Sequence, residues 1–318
     1  MIYDVIVVGA GPAGMAAAVS AYENGAEKVL IIERNAHLGG ILKQCIHDGF
    51  GLVLFNESLT GPEYALRYAQ MLRSKDVEIK LDTMVTKITP KLEIQCVTRD
   101  GVITYKAKSV ILATGCRERT RGMLELPGTR PTGIYTAGVA QKLINIQNIK
   151  IGERAVILGS GDVGLIMARR MKLEGMEVIC VLEKLPHISG LLRNVNQCLN
   201  DFDIPIKLNQ TVVDIKGAKR LEGIIAAQVD DNGDVIDGTE YSIDCDTLLL
   251  SVGLIPENEL AKACGIHIGP DGGPVVNDRL ETSVRGIYSA GNSLHVHDLA
   301  DHASEEGLNA GKYAAESL

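Results

Sequence analysis

The stretch DVIVVGAGPAGMAAAV (residues 4–19) decides the fold, because RAVILGSGDVGLIMARR (residues 154–170) repeats its spacing halfway along the chain. Each begins as an apolar strand, turns through G-x-G-x-x-G and continues into a helix-forming run. The glycines are Gly9, Gly11 and Gly14 in the first copy and Gly159, Gly161 and Gly164 in the second. In each copy an acid closes the next apolar run 19 positions after the third glycine: Glu33 in VLIIERN and Glu183 in VICVLEK. The first glycine lets the strand turn sharply, the second lets backbone approach a pyrophosphate, and the third lets helix and strand pack closely. The helix N-terminus then faces the phosphates and the acid faces a ribose diol. Two such copies imply two dinucleotides on one chain.

The rest of the chain supports that architecture. At 318 residues and 46% hydrophobic it can fill the cores of two ordinary domains. Its apolar residues are Val, Ile, Leu and Ala, with no Trp and three Phe, which suits buried parallel strands covered by helices. A net charge of −8 without a basic cluster argues against a nucleic-acid partner. The start, MIYDVIVVGAG, reads as a strand entering a phosphate loop, not as a targeting segment. No apolar run is long enough to span a bilayer, so a cytoplasmic protein is expected. Seven dispersed cysteines without CxxC or metal-ligand spacing read as reduced, mostly buried thiols, and no metal is assigned.

Both halves repeat more than the loop. After the first unit comes a helical stretch, GPEYALRYAQMLRSKD, then strands in VEIKLDTMVTKI, LEIQCVT and VITYKA. Arg99, Asp100 and Gly101 form the turn between the last two. The second half carries IKLNQTVVDIKG, LEGIIAAQVD, a turn at 230–233 and a strand near 240–243. Each meander leads to an apolar strand ending in a small-residue motif, SVILATG (109–115) and TLLLSVG (247–253). The expected fold is α/β: two Rossmann-like three-layer domains. Residues 1–117 and 253–318 form an FAD domain, and residues 118–252 form an NAD domain inserted into it.

The order GxGxxG…E, ATG, GxGxxG…E, SVG and a late GIYSAGN resembles the pyridine nucleotide-disulfide oxidoreductase superfamily, at thioredoxin-reductase-like length. The resemblance implies an FAD site at Gly9, Gly11, Pro12, Ala13, Gly14, Glu33, Arg34, Gly40, Val85, Ala113, Thr114 and Gly115. It adds Gly291, Asn292, His302 and Ala303 from the C-terminal segment, with Asn292 where the superfamily usually has Asp. It places the nicotinamide nucleotide on Gly159, Gly161, Asp162, Val163, Gly164, Glu183 and Gly253. Within the superfamily, LGGILKQCIHDGFG, LTGPEYA, ATGCRERTR, GSGDVGLIMARRMKLEG and GNSLHVHDLADHASEE resemble NAD-linked flavoprotein subunits, chiefly those accompanying FAD-dependent glycerol-3-phosphate dehydrogenase. The implied partner is a second copy of the chain, such a dehydrogenase subunit, or both.

Thioredoxin reductases carry CxxC in the inserted domain, but the aligned GIYTAGVAQKL has no cysteine, which excludes that route to thioredoxin. Glutathione-reductase-type enzymes place CxxxxC after LGG, and here only Cys45 follows. Cys45 reads either as a redox thiol beside the flavin, with His47 tuning it or moving a proton, or as a small buried hydrophobe. The run HVHDLADH offers His295, His297, Asp298, Asp301 and His302, for which positioning of the flavin edge by a helix start is the favoured reading over metal binding. Glu183 beside a single Lys184 favours NAD over NADP. Phe50 and Phe55 read as a flavin cover, an interface with another chain, or core. Three functions stand open: an NAD-linked flavoprotein passing electrons to or from a partner dehydrogenase, a self-contained NADH oxidase or small-disulfide reductase using Cys45, and a non-catalytic flavin-binding subunit.

Overall fold

The computed structural model describes residues 2–318. β1 (Ile2–Val8) leads into α1 (Pro12–Glu23) and back to β2 (Val29–Ile32), which pairs with β1 in parallel. α2 (Gly61–Arg73) begins at a capping box: the Thr60 hydroxyl accepts from the Glu63 N–H, and the Glu63 carboxylate accepts from the Thr60 N–H. β3 (Val77–Lys80) extends the parallel sheet beyond β2. β4 (Met84–Ile88), β5 (Glu93–Thr98) and β6 (Gly101–Leu112) form an antiparallel meander.

VITYKA and SVIL are expected as separate strands, but the structure joins them into one. No turn residue separates them, and β6 changes neighbours along its length within one sheet. Its first residues pair with β5, and its last run parallel to β1, where burial becomes complete from Ser109 to Leu112.

β7 (Cys116–Glu118) carries the chain out of the first unit. There follow β8 (Ile134–Thr136), α3 (Ala137–Asn145), β9 (Arg154–Leu158), α4 (Asp162–Leu173), β10 (Glu177–Leu182), α5 (Leu192–Cys198) and β11 (Ile206–Lys207). A second meander, β12 (Gln210–Lys216), β13 (Gly223–Gln228) and β14 (Tyr241–Ile243), precedes β15 (Thr247–Leu250). β16 (Leu254–Pro256) returns and pairs with β7, and α6 (Glu259–Ala263), β17 (Ile287–Ser289) and α7 (Ala300–Glu316) finish the chain. The sheet orders are β3-β2-β1-β6-β5-β4, with β17 also on β6, and β11-β10-β9-β15-β8. The chain divides into a unit that ends at Arg117 and resumes at Ile255–Leu318, and an inserted unit, Glu118–Leu254.

Each unit has three layers, and strand alternation builds them. Val5 and Val7 face the helices while Ile6 and Val8 face the meander. In the second unit Ala155 and Ile157 face the helices, and Val156 and Leu158 face the other way. Both faces are buried, so these strands read as unbroken apolar runs, each fully buried Val or Ile contributing roughly 1.5–3 kcal/mol.

α7 lies on α1 because both are built of small residues. A Cβ at Gly307 would stand 2.2 Å from the Ala13 carbonyl oxygen, and one at Gly311 would stand 2.1 Å from that of Ala17. Gly311→Ala is therefore expected to lower stability by about 1–3 kcal/mol through overpacking. A chemical-denaturation midpoint equal to wild type would contradict that contact.

Candidate functional site

In the first loop Gly9 has φ +103, and a Cβ there would lie 2.3 Å from the Ala113 carbonyl oxygen. A Cβ at Gly14 would lie 1.9 Å from the Gly9 oxygen, so both glycines serve the protein's own packing. Gly11 differs. Its φ of −72° suits any residue, and a Cβ there would meet nothing within 4 Å. The open space lies at the N-terminus of α1, where Gly11 is the N-cap without a side-chain acceptor and Pro12 follows. That is a free cradle of backbone N–H groups and a favourable dipole end, the arrangement an anionic pyrophosphate fits.

Glu33 is buried, with Oε2 accepting from the Ala10 N–H at 2.8 Å and Oε1 accepting from the Asn35 N–H and Nδ2 at 2.8 Å each. A carboxylate has about four acceptor positions, so one remains for a ribose hydroxyl. Arg34 is exposed beside it. The Gly39 N–H donates to the Ala10 carbonyl at 2.8 Å, and a Cβ at Gly40 would lie 3.1 Å from Gly11 Cα, so the LGG segment sits directly on the loop. The Thr83 N–H donates to the Glu33 carbonyl at 2.9 Å, which brings β4 alongside. The Val85 side chain is in the core, so only its backbone is available to a nucleotide.

The C-terminal segment joins the same place. A Cβ at Gly291 would stand 2.6 Å from Ala13 Cβ and 3.9 Å from Ala303 Cβ. Asn292 donates from Nδ2 to Cys116 Sγ at 3.5 Å and accepts at Oδ1 from the His297 N–H at 3.0 Å. The Thr114 hydroxyl donates to the Glu257 carbonyl at 2.7 Å, and the Gly115 carbonyl accepts from the Glu257 N–H at 2.9 Å. His302 is exposed on the first turn of α7.

The second loop repeats the first with two additions. Gly159 packs on the Ser251 backbone and Gly164 on the Ser251 side chain, whose Oγ also accepts from the Gly164 N–H at 3.1 Å. Glu183 is buried, with Oε2 accepting from the Ser160 N–H at 2.8 Å and the Ser160 hydroxyl at 2.5 Å, and Oε1 accepting from the Leu185 N–H at 2.9 Å. Gly161 is the uncapped N-cap of α4, with Val163 exposed in its first turn. Asp162 is turned away from that N-terminus, accepting from the Leu191 N–H at 2.8 Å and Asn194 Nδ2 at 2.7 Å. Lys184 folds against Gly233 of the hairpin turn, where a Cβ would meet its Nζ at 3.0 Å. Gly253, at φ +99, accepts from the Arg119 N–H at 3.1 Å.

Cys45 is buried, its thiol donating to the Ile41 carbonyl at 3.3 Å, and burial pushes its pKa up to about 12. His47 lies against Phe50, with ring centroids 5.1 Å apart. Phe50 and Phe55 pack on Tyr64, and Phe55 also packs on Tyr68, which is core packing. At pH 8 a thiol with that pKa is about 10⁻⁴ ionised, so Cys45 is expected to react with iodoacetamide roughly a thousandfold more slowly than a free cysteine. Mass mapping of labelled protein checks this, and ready alkylation at pH 8 would contradict it.

Two residues have roles that their sequence neighbourhood does not signal. Asp301 is 2% exposed and accepts from the Gly51 N–H at 3.0 Å and the Leu54 N–H at 3.3 Å, holding the 47–55 segment on α7. Glu306 accepts from the Gly291 N–H at 2.5 Å and faces His295 and His297. Of the proposed tail ligands, Asp298, Asp301 and His302 lie outside that cluster.

The family model for pyridine nucleotide-disulphide oxidoreductases matches residues 3–307. The chain belongs to that family. Members of that family use FAD and NAD(P)H. It is 28% identical over 319 residues to an opine oxidase subunit of Rhizobium meliloti (strain 1021), covering 92% of this chain and 66% of that protein. It is 26% identical over 349 residues to mitochondrial dihydrolipoyl dehydrogenase of Caenorhabditis elegans, covering 96% and 66%. The chain thus spans about two thirds of the length of these curated relatives. Thioredoxin reductase of T. acidophilum superposes with TM-score 0.81 at 27% identity, covering 99% of this chain and 98% of that one. Among the described residues, no helix is long and apolar enough to cross a membrane.

Proposed function

We propose that the chain is an NAD-linked flavoprotein that exchanges hydride with NAD(H) and passes electrons to or from the flavin of a partner dehydrogenase. When bound, FAD supplies hydride acceptance and release. In this reading Gly11 and the start of α1 bind its pyrophosphate, and Glu33 takes the adenosine ribose. Gly291 and Asn292 approach its ribityl chain, with Ala303 beside them. Gly161 and the start of α4 bind the NAD pyrophosphate, and Glu183 accepts its ribose diol. No side chain has to move a proton for the hydride half-reaction.

The observation that carries the reading is that Cys45 is buried and stands alone after LGG. Burial holds it as a neutral thiol, and the CxxxxC pattern that disulfide-reducing relatives of the glutathione-reductase type carry after LGG has only this one cysteine here. The likeness to a protein named as one subunit of opine oxidase supports a partner-linked role. We favour a partner that oxidises glycerol 3-phosphate or an amine. The second reading, a self-contained oxidase or disulfide reductase using Cys45, is favoured by the likeness to dihydrolipoyl dehydrogenase and thioredoxin reductase.

Cys45→Ser separates the two. Flavin content, NADH reduction and dye turnover are expected to stay within about twofold of wild type, because a packed thiol contributes little to hydride transfer. Loss of oxygen or disulfide turnover by orders of magnitude, with NADH reduction intact, would promote the second reading, since a serine hydroxyl cannot cycle through sulfenate or disulfide.

A further inference from the structure

We propose that His295, His297 and Glu306 form a binding site for a divalent transition-metal ion of the zinc type. One ligand atom from each lies within 4.8 Å of the others, although Glu306 is on α7 and the histidines precede it. His295 Nδ1 is 3.4 Å from Glu306 Oε1, and His297 Nε2 is 3.2 Å from Glu306 Oε2. Ligand atoms at about 2.0–2.1 Å from a tetrahedral ion stand roughly 3.3–3.4 Å apart, and each imidazole nitrogen already stands at about that distance from one of the two oxygens of the Glu306 carboxylate. The three ligand atoms, within 4.8 Å of one another, have to close by about an ångström around one ion, and His295, with half its side chain exposed, has room to swing.

The chemistry of the donor set suits the ion. Two imidazoles and a carboxylate leave a fourth position for water, and borderline nitrogen and oxygen donors select zinc-type ions over calcium or magnesium. Glu306 Oε2 also accepts from the Gly291 N–H, a partner that orients the carboxylate as outer-sphere groups do in metal sites. His297 and Glu306 further line a cleft of about 280 Å³ shared with Asp278 and Glu305, which gives an ion access. The His297 N–H donates to Asn292 Oδ1, so an ion here would brace the Gly291–Asn292 turn at the proposed flavin end. Zinc binding itself does not depend on which acceptor the flavin serves.

Calorimetric titration of the FAD-loaded chain with Zn²⁺ tests the site. One ion per chain is expected, with Kd at or below about 1 μM. His297→Ala and the exposed-site variant His295→Ala should each weaken binding roughly hundredfold, while the exposed His267→Ala stays within about twofold. The rise in melting temperature with Zn²⁺ should vanish in the first two variants. Saturable binding unchanged in both variants would place the ion on other groups, such as the thiols, and overturn the proposal. Absence of binding up to about 100 μM would overturn it equally, as would a loss in His267→Ala matching that in His297→Ala.

Discussion

Gly11→Ala is expected to give a folded, colourless protein. The backbone at Gly11 lies at φ −72°, where alanine is unstrained, and a Cβ would meet no protein atom within 4 Å. The methyl group therefore costs the fold almost nothing and stands in the one open space at the start of α1. A pyrophosphate using that cradle would lose close backbone approach, and affinity for FAD should fall by at least about hundredfold, roughly 3 kcal/mol. Gly14→Ala makes the contrast, because its Cβ would meet the Gly9 oxygen at 1.9 Å and damage the fold itself. Flavin absorbance and far-ultraviolet circular dichroism on both variants separate the two roles. A yellow Gly11→Ala protein with wild-type FAD affinity would contradict the placement.

The second large effect concerns the nicotinamide nucleotide. Wild-type protein should be reduced far faster by NADH than by NADPH, because the buried Glu183 carboxylate accepts a ribose diol and repels a 2′-phosphate. Lys184 does not offset that repulsion, since it is folded against Gly233. Glu183→Gln removes the charge and keeps one acceptor oxygen, enough for the Ser160 N–H or the Leu185 N–H but not both, so part of its effect is a local loss of hydrogen bonding. The NADH preference should narrow by about ten- to hundredfold, the equivalent of roughly 1–3 kcal/mol. Glu183→Arg should go further, at a cost in stability from the donors it strands. Stopped-flow rates with both nucleotides decide it, and equal rates in the wild type would show that Glu183 does not contact the ribose.

What the sequence made legible was local, and what it hid was long-range. The loops at Gly9 and Gly159 and the acids Glu33 and Glu183 obey short, regular spacings set by strand, turn and helix geometry, so periodicity alone placed them. The layers followed for the same reason, since alternate residues of β1 and β9 go to opposite faces. Asp301 holding Gly51 spans 250 positions and leaves no mark in spacing. Glu306 stands 15 residues from Gly291 and reads as an ordinary helix-surface acid until α7 is laid on α1. Lys184 looks like part of a ribose site by adjacency to Glu183, yet its long side chain follows the hairpin turn. The merged strand β6 is hidden because a change of partner along one strand, from β5 to β1, does not interrupt its residue types.

The central claim is that NADH delivers electrons to a flavin that works without a redox thiol. Anaerobic titration of the purified FAD-loaded chain with NADH tests it most directly. One equivalent of NADH per FAD is expected to bleach the flavin completely, leaving no long-wavelength thiolate-to-flavin band, because Cys45 stays neutral. A flavin that NADH cannot reduce, or one that consumes two equivalents and develops that band, would contradict it.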